Sequence, residues 1–229
     1  MSPNILAIDT STEACSVALQ FNNQVSSDFV ISNRDHTKQV LPMVDTLLKR
    51  SECNLNQIDA IAFGQGPGSF TGVRIGIGVA QGLAFGIGVP MIGVSNLMTL
   101  AQGAYRKTHI KTVIAAIDAR MSEIYLGVYQ YNNDVWQAMI NECVIKPDQV
   151  SEKLAHLSLT DCVCSGTGWQ TYPNMLKGIM QSDHHLPEAQ DMLNIAENLF
   201  NRGRTVNPED AQASYLRNEV TWKKLPGRN

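Results

Sequence analysis

Gly64-Gln-Gly-Pro-Gly-Ser-Phe-Thr-Gly-Val-Arg74 joins an apolar segment, residues 58–63, to a long run of small residues. The apolar segment is typical of a short buried strand, and the glycines that follow it predict a turn. Ser69 or Thr71 stands where a hydroxyl can cap the N-terminus of a helix. The pattern therefore predicts a strand, a glycine-rich turn and a helix over residues 70–88.

Small residues recur at every fourth position of this predicted helix, on two separate rows. Glycine inside a helix costs up to about 1 kcal/mol relative to alanine, so its repeated use indicates that another backbone comes close. The two rows are Gly72, Gly76, Ala80, Ala84 and Gly78, Gly82, Gly86. The turn and the helix form either a phosphate cradle or a docking face, and we favour the docking face.

The composition is that of a globular protein without a strong charge bias. The chain has 229 residues, of which 44% are apolar and 17% are charged. This length allows one large domain or two small ones. The net charge of −3 gives the surface no general attraction for a polyanion. We therefore expect a partner to supply most of any contact with nucleic acid.

Five cysteines without a Cys-x-x-Cys pair predict buried free thiols in a reducing cytosol. The first residues carry neither a basic segment nor a signal cleavage site, so we expect a cytoplasmic protein. No charged residue occurs between Arg74 and Arg106, but this stretch is interrupted by glycines and by Pro90. We interpret it as a buried helix, a turn and a buried strand, and we expect no contact with a membrane.

The two halves of the chain show the same order of predicted elements. Ile5-Leu-Ala-Ile-Asp9 and Thr112-Val-Ile-Ala-Ala-Ile-Asp118 both match strands that end in aspartate. Later in each half, Gly64-Gln-Gly66 is echoed by Gly166-Thr-Gly168. Both halves therefore have the order strand-strand-strand-helix-strand, which indicates an internal duplication.

The duplication predicts an α/β protein with two lobes, each a mixed sheet with flanking helices. The first lobe comprises residues 1–106 and carries the helices expected to dock a partner. The second lobe comprises residues 107–229, and its last helix and tail are expected to pack back on the first lobe.

The polar turn after the first strand can be compared with phosphate-binding turns. In folds of the actin and sugar-kinase type this turn has an Asp-x-Gly-Thr pattern, whereas residues 9–12 are Asp-Thr-Ser-Thr. Serine replaces the glycine that lets a phosphate approach. The glycine-rich turn lacks the lysine of a Walker loop and the third glycine of G-x-G-x-x-G. An anion or nucleotide shared with a partner is the alternative hypothesis, and its contacts would be Asp9, Thr10, Gly68, Ser69 and Arg74.

No other pattern predicts catalytic chemistry. The five histidines show no metal-ligand spacing, and His184-His185 lies in a polar segment that we expect to face solvent. No serine stands in a Gly-x-Ser-x-Gly context. The sequence thus predicts neither catalytic residues nor a metal site.

Five stretches carry a resemblance to a known family. They are Ile5-Leu-Ala-Ile-Asp-Thr-Ser-Thr-Glu-Ala-Cys-Ser-Val-Ala-Leu19, His36-Thr-Lys-Gln-Val-Leu-Pro42, Gly66-Pro-Gly-Ser-Phe-Thr-Gly-Val-Arg-Ile-Gly76, Ala116-Ile-Asp-Ala-Arg-Met121 and Tyr215-Leu-Arg-Asn218. Together they extend over essentially the whole chain and resemble the bacterial TsaB family, also called YeaZ, of tRNA threonylcarbamoyladenosine biosynthesis proteins. The resemblance implies two lobes of the actin and RNase H type, in the superfamily that includes sugar kinases.

The resemblance also implies a non-catalytic subunit that acts beside the related catalytic subunit TsaD and the ATPase TsaE. Together they place a threonylcarbamoyl group on N6 of adenosine 37 in tRNAs that read codons beginning with A. Such a subunit has no cofactor of its own, contacts tRNA indirectly, and forms a homodimer when TsaD is absent. TsaD binds a metal through a His-x-x-x-His motif, and Asn96 and Leu100 stand at those two positions here.

In the TsaB family the first two helices form the face that meets TsaD or a second TsaB. The resemblance therefore implies an interface with the candidate residues Val40, Leu41, Val44, Leu47, Leu48, Gly72, Val73, Gly76, Ala80 and Ala84. Each helix must also bury one face against its own sheet, so packing within the lobe is the alternative for these residues. An independent ATP-binding kinase or ATPase of the same fold is the second functional hypothesis, and a metallopeptidase is the third.

Overall fold

The computed structural model describes residues 2–32 and 35–217. The first half of the chain forms a five-stranded mixed sheet. Its strands are β1 (Ile5–Asp9), β2 (Ala14–Phe21), β3 (Gln24–Ile31), β4 (Ala60–Gly66) and β5 (Met91–Ser95). They lie side by side in the order β3-β2-β1-β4-β5, with β1 antiparallel to β2 and parallel to β4.

The second half repeats this arrangement. Its strands are β6 (Thr112–Arg120), β7 (Glu123–Asn132), β8 (Val135–Ile145), β9 (Cys162–Ser165) and β10 (Met180–Gln181). They lie in the order β8-β7-β6-β9-β10, so β6 pairs with β7 and β9 as β1 pairs with β2 and β4. The predicted α/β fold of two lobes is confirmed, and Gly66 and Gly166 even share nearly the same φ, +109° and +111°.

In the part of the chain that the structure describes, six α-helices cover the two sheets. They are α1 (His36–Arg50), α2 (Phe70–Ile87), α3 (Asn96–Thr108), α4 (Val150–Leu154), α5 (Thr167–Thr171) and α6 (Ala189–Asn201). α1 and α2 pack on the outer face of the first sheet, and α4 and α5 on the outer face of the second. α3 and α6 lie between the two sheets. A 3₁₀ turn at Pro147–Gln149 directly precedes α4.

Alternating side chains along β1 explain this layering. Ile5 and Ala7 point to the middle layer with α3 and α6, whereas Leu6 and Ile8 point to α1 and α2. A strand covered on both faces is apolar throughout rather than at every second position. All four side chains are fully buried, so β1 forms the centre of the first lobe.

From α6 onward, the described chain packs against the first lobe. This helix contacts β1 and β2, although it belongs to the second half of the sequence. The segment after it continues along the same lobe, where Val206 and Met91 exchange backbone hydrogen bonds. Ser214 N then donates to the carbonyl of Gln65 at 2.8 Å.

α2 begins and ends as its sequence predicts. The Ser69 hydroxyl accepts a hydrogen bond from Gly72 N at 3.3 Å, and Gly88 ends the helix in the left-handed conformation with φ +71°. α2 is also long and apolar enough to cross a membrane by length and composition. Val73 and Ile77 nevertheless pack against the first sheet, as expected for a core helix.

Two glycine substitutions on α2 should have opposite effects on stability. A Cβ at position 72 would lie 2.2 Å from the Thr10 carbonyl oxygen, a backbone atom that cannot move aside. We expect Gly72→Ala to lower the free energy of unfolding by about 2–3 kcal/mol. Position 82 has no described atom within 4 Å of its Cβ site, so Gly82→Ala should raise stability by about 0.5–1 kcal/mol. Urea unfolding measures both changes. Equal effects would contradict the burial of the row that contains Gly72 and the exposure of the row that contains Gly82.

Candidate functional site

The turn between β1 and β2 carries a buried aspartate. Asp9 is 1% exposed, and its Oδ1 accepts hydrogen bonds from Ser11 N at 3.1 Å and Ser11 Oγ at 2.9 Å. Its Oδ2 has no hydrogen-bond partner in the part of the chain that the structure describes. Burial raises the pKa of Asp9 to about 6, although the bonds from Ser11 act in the opposite direction.

The glycine-rich turn and the start of α2 pack directly on this hairpin turn. Thr10 Oγ1 donates to the carbonyl of Gly72 at 2.7 Å, and Ser69 N donates to the carbonyl of Ser11 at 2.7 Å. A Cβ at Gly68 would lie 2.5 Å from that same carbonyl oxygen of Ser11. The space that a phosphate cradle would need is therefore filled by the chain's own backbone.

Asn96, at the first turn of α3, faces the same buried region. Its Oδ1 accepts a hydrogen bond from Gly66 N at 3.3 Å, and its Nδ2 has no partner among the described residues. Gly64 allows this close packing, because a Cβ there would lie 1.9 Å from Asp9 Oδ2. Leu100, one helical turn further along, is fully buried in the middle layer. An amide and an alkyl group cannot replace a pair of imidazole metal ligands.

The five predicted anion contacts lie close together, but not all of them are accessible. Asp9 and Thr10 are each 1% exposed and are covered by the glycine-rich turn, so in this conformation neither is open to a nucleotide, and the shared contact stays a prediction. Gly68 is partly buried, whereas Ser69 and Arg74 are exposed at the start of α2. The Arg74 guanidinium lies over the Phe70 ring, 3.4 Å from its centroid.

Eight of the ten predicted interface residues face inward, so the interface prediction is corrected for them. These are Val40, Val44, Leu47, Gly72, Val73, Gly76, Ala80 and Ala84. The side chains pack against the outer face of the first sheet, and the glycines accommodate Thr10. For these eight residues the structure therefore shows packing within the lobe, which the sequence analysis gave as the alternative. Leu41, 48% exposed, and Leu48, partly buried, remain on the surface.

The second row of small residues on α2 faces outward. Within residues 2–32 and 35–217, no atom lies within 4 Å of the Cβ sites of Gly78, Gly82 and Gly86. Phe85 stands beside this row with 76% of its surface exposed. We call this row, Phe85, Leu41 and Leu48 the outer helix face.

An open groove of about 510 Å³ adjoins the outer helix face. Its lining includes the apolar side chains of Leu41, Val44, Leu48, Leu55 and Leu83 and the charged side chains of Asp45 and Lys49. Lys49 Nζ is paired with Asp45 Oδ2 at 2.7 Å, one turn apart on α1. The groove therefore combines an apolar surface with an exposed ion pair, as protein interfaces commonly do.

The structure also reveals a group of residues that the sequence prediction missed. His184 is 1% exposed, so the expectation that it faces solvent is wrong. It is packed against Glu188 and Asp191, with which it shares the spacing His-x₃-Glu-x₂-Asp. His184 and Glu188 precede α6, so helical spacing could not have signalled their contact, and only Asp191 lies on the helix.

Comparison with proteins of known name gives matches over nearly the whole chain. A family model described as TsaD, tRNA N6-adenosine threonylcarbamoyltransferase, matches residues 29–218. The chain is 53% identical to the tRNA threonylcarbamoyladenosine biosynthesis protein TsaB of Escherichia coli, covering 98% of this chain and 99% of that protein. It is 45% identical to the protein of the same name from Haemophilus influenzae, covering 98% of each. The structure of YeaZ from Pseudomonas aeruginosa is 44% identical, with a TM-score of 0.88 over 94% of this chain and 100% of that one.

The buried Asp9 should make stability depend on pH. Because its pKa is raised from 3.8 to about 6 on folding, its contribution is fully present below pH 3.8 and is lost as the pH rises through about 6. The Asp9→Asn variant keeps an oxygen acceptor for Ser11 and does not ionise. We expect it to gain up to about 3 kcal/mol relative to wild type between pH 4 and pH 7. Urea unfolding at several pH values measures this gain, and parallel pH profiles would contradict the burial of an ionisable Asp9.

Proposed function

The chain belongs to the TsaB family and has a role in tRNA threonylcarbamoyladenosine biosynthesis, and within that process we propose that it is a non-catalytic docking subunit. It binds TsaD through the outer helix face and, together with TsaE, supports modification of adenosine 37 in tRNAs that read codons beginning with A. It works in the cytoplasm and contacts tRNA indirectly. When TsaD is absent, a second copy of the chain occupies the same face.

The observation that carries this proposal is the exposed glycine row of α2. Glycine costs helix stability, and here three glycines at every fourth position meet no described neighbour. Packing within the described part of the chain therefore gives no reason for them. The distance between two packed helices depends on the side chains at their contact. A row without side chains lets a partner helix approach α2 more closely than leucine or valine would permit.

The apolar side chains beside the row supply the area that such contact needs. Phe85 and Leu41 are both largely exposed, and the groove between α1 and α2 continues the same apolar surface. Large exposed patches rimmed by polar residues mark interaction sites in soluble proteins. Phe85 would insert between partner side chains, and aromatic residues are enriched at the energetic centre of interfaces.

The same geometry argues against independent catalysis. The hairpin turn that would hold phosphate donates and accepts its hydrogen bonds within the chain, through Thr10 and Ser11. Asn96 and Leu100 offer no metal-ligand pair at the start of α3. These features support a subunit without chemistry of its own over a kinase, an ATPase or a metallopeptidase.

A nucleotide shared with the partner is compatible with this role. Ser69 and Arg74 are exposed at the N-terminus of α2, where the helix dipole favours an anion. Because Asp9 and Thr10 are covered, the partner would have to supply the remaining contacts. The chain itself is proposed to hold no cofactor.

A bulky side chain on the glycine row should prevent docking without disturbing the fold. In Gly82→Trp the new side chain has free space in the isolated chain, so the variant should remain folded. Its dissociation constant for TsaD should rise at least about tenfold, equivalent to about 1.4 kcal/mol. Size-exclusion chromatography reports the complex, and nucleoside analysis reports modified adenosine in a mixture of the chain, TsaD, TsaE, tRNA and threonylcarbamoyl-adenylate.

The matched control is Asn194→Trp, an exposed position on α6 away from the outer helix face. It should bind TsaD and support modification as the wild type does. Wild-type binding by Gly82→Trp would refute the docking surface. Modification of tRNA by the chain alone would refute its non-catalytic role.

A further inference from the structure

We propose that His184, Glu188 and Asp191 form a binding site for a divalent transition-metal ion such as Zn²⁺, at the junction of the two lobes. One ligand atom from each residue lies within 4.8 Å of the other two. The site is remote in the sequence from Asn96 and Leu100 at the start of α3. It is independent of the docking role proposed above.

The imidazole of His184 is the strongest indication of a missing ligand. The residue is 1% exposed, and its Nε2 has no hydrogen-bond partner among the residues that the structure describes. This nitrogen points to Oδ2 of Asp191 at 3.5 Å, while Nδ1 lies 3.4 Å from Oε1 of Glu188. Both separations exceed the usual length of a hydrogen bond, about 2.7–3.2 Å. A cation bound between Nε2 and Oδ2 would satisfy this buried, unpartnered nitrogen.

The distance suits a tetrahedral metal ion. Zinc binds imidazole nitrogen and carboxylate oxygen at about 2.0–2.2 Å, which places two neighbouring ligands about 3.4 Å apart. The 3.5 Å between Nε2 and Oδ2 is close to this distance between neighbouring ligands. Glu188 faces the other ring nitrogen, so its side chain would turn toward the ion to become the third ligand, and water would take the fourth position. One imidazole nitrogen and two carboxylate oxygens suit Zn²⁺ and other divalent first-row transition metals better than Ca²⁺ or Mg²⁺, which prefer oxygen ligands alone.

The surroundings hold His184 in position. Its carbonyl accepts hydrogen bonds from Ser165 Oγ at 2.6 Å and Gly166 N at 3.2 Å, and its own N–H donates to Ser182 Oγ at 3.0 Å. On the other side, a Cβ at Gly103 would lie 1.9 Å from His184 Nε2. The absence of a side chain at Gly103 thus lets the His184 ring pack directly against α3.

Arg106 is the group that competes with a metal ion. Its Nε and Nη2 donate to the two oxygens of Asp191 at 2.7 and 2.9 Å, and Nη2 also contacts Glu188 at 3.2 Å. Two carboxylates and one guanidinium leave a single net negative charge when His184 is neutral. The attraction for a cation is therefore limited, and removing the guanidinium should increase it. The Arg106 side chain is 38% exposed, so it can shift toward solvent as the ion enters.

Titration of the metal-free full chain with Zn²⁺ or Co²⁺ tests the site. We expect saturable binding of one ion, measured by calorimetry, and the visible spectrum of tetrahedral Co²⁺ without a thiolate charge-transfer band. His184→Gln should weaken binding at least about tenfold, whereas the matched control His185→Gln, at the adjacent partly buried position, should not. Arg106→Gln should strengthen it. Circular dichroism establishes that each variant is folded.

Three results would overturn the proposal. They are no binding by the wild type, wild-type affinity in folded His184→Gln, and a thiolate band that assigns the ion to a cysteine. If His184→Gln does not fold, ¹⁵N NMR of the wild-type histidines decides the question instead. A large shift of the His184 ring nitrogens on addition of Zn²⁺ supports the site, and an unchanged His184 signal refutes it.

Discussion

The contact between the β1–β2 turn and the start of α2 determines the character of the first lobe. Thr10 Oγ1 donates to the carbonyl of Gly72, and the backbones are so close that a Cβ at Gly72 would meet the Thr10 carbonyl at 2.2 Å. This contact orients α2 about its axis. With about 3.6 residues per turn, the row that begins at Gly72 must face the sheet, and the row that begins at Gly78 must face away from it.

The same contact closes the turn that carries Asp9. The turn that could cradle an anion instead accepts and donates hydrogen bonds within the chain, and Asp9 is enclosed behind it with a raised pKa. Burial of an ionisable carboxyl costs stability at neutral pH. On the accessible outer surface of α1 and α2, the apolar side chains of Leu41 and Phe85 are exposed beside a row of glycines. A turn that bonds within its own chain, together with an exposed outer helix face, supports the proposed docking role.

The middle layer joins the two lobes by a different kind of interaction. α3 and α6 bury apolar side chains against both sheets, and Arg106 of α3 binds Asp191 of α6 through both carboxylate oxygens. His184 is enclosed beside this ion pair. The polar character of residues 182–185 gave the opposite expectation, because a local pattern records the polarity of a segment but not the neighbours that cover it.

Local pattern was sufficient to predict the strands other than β10, the duplication, the capped helix α2 and the two rows of small residues, because periodicity and capping depend on residues close together in the chain. It was not sufficient to decide which row of small residues is buried and which is exposed. Gly76 and Gly82 are chemically identical, and only the position of Thr10, more than sixty residues away, buries one and leaves the other exposed. The outer helix face and the environment of His184 were likewise decided by contacts distant in sequence, since burial is a property of the assembled layers.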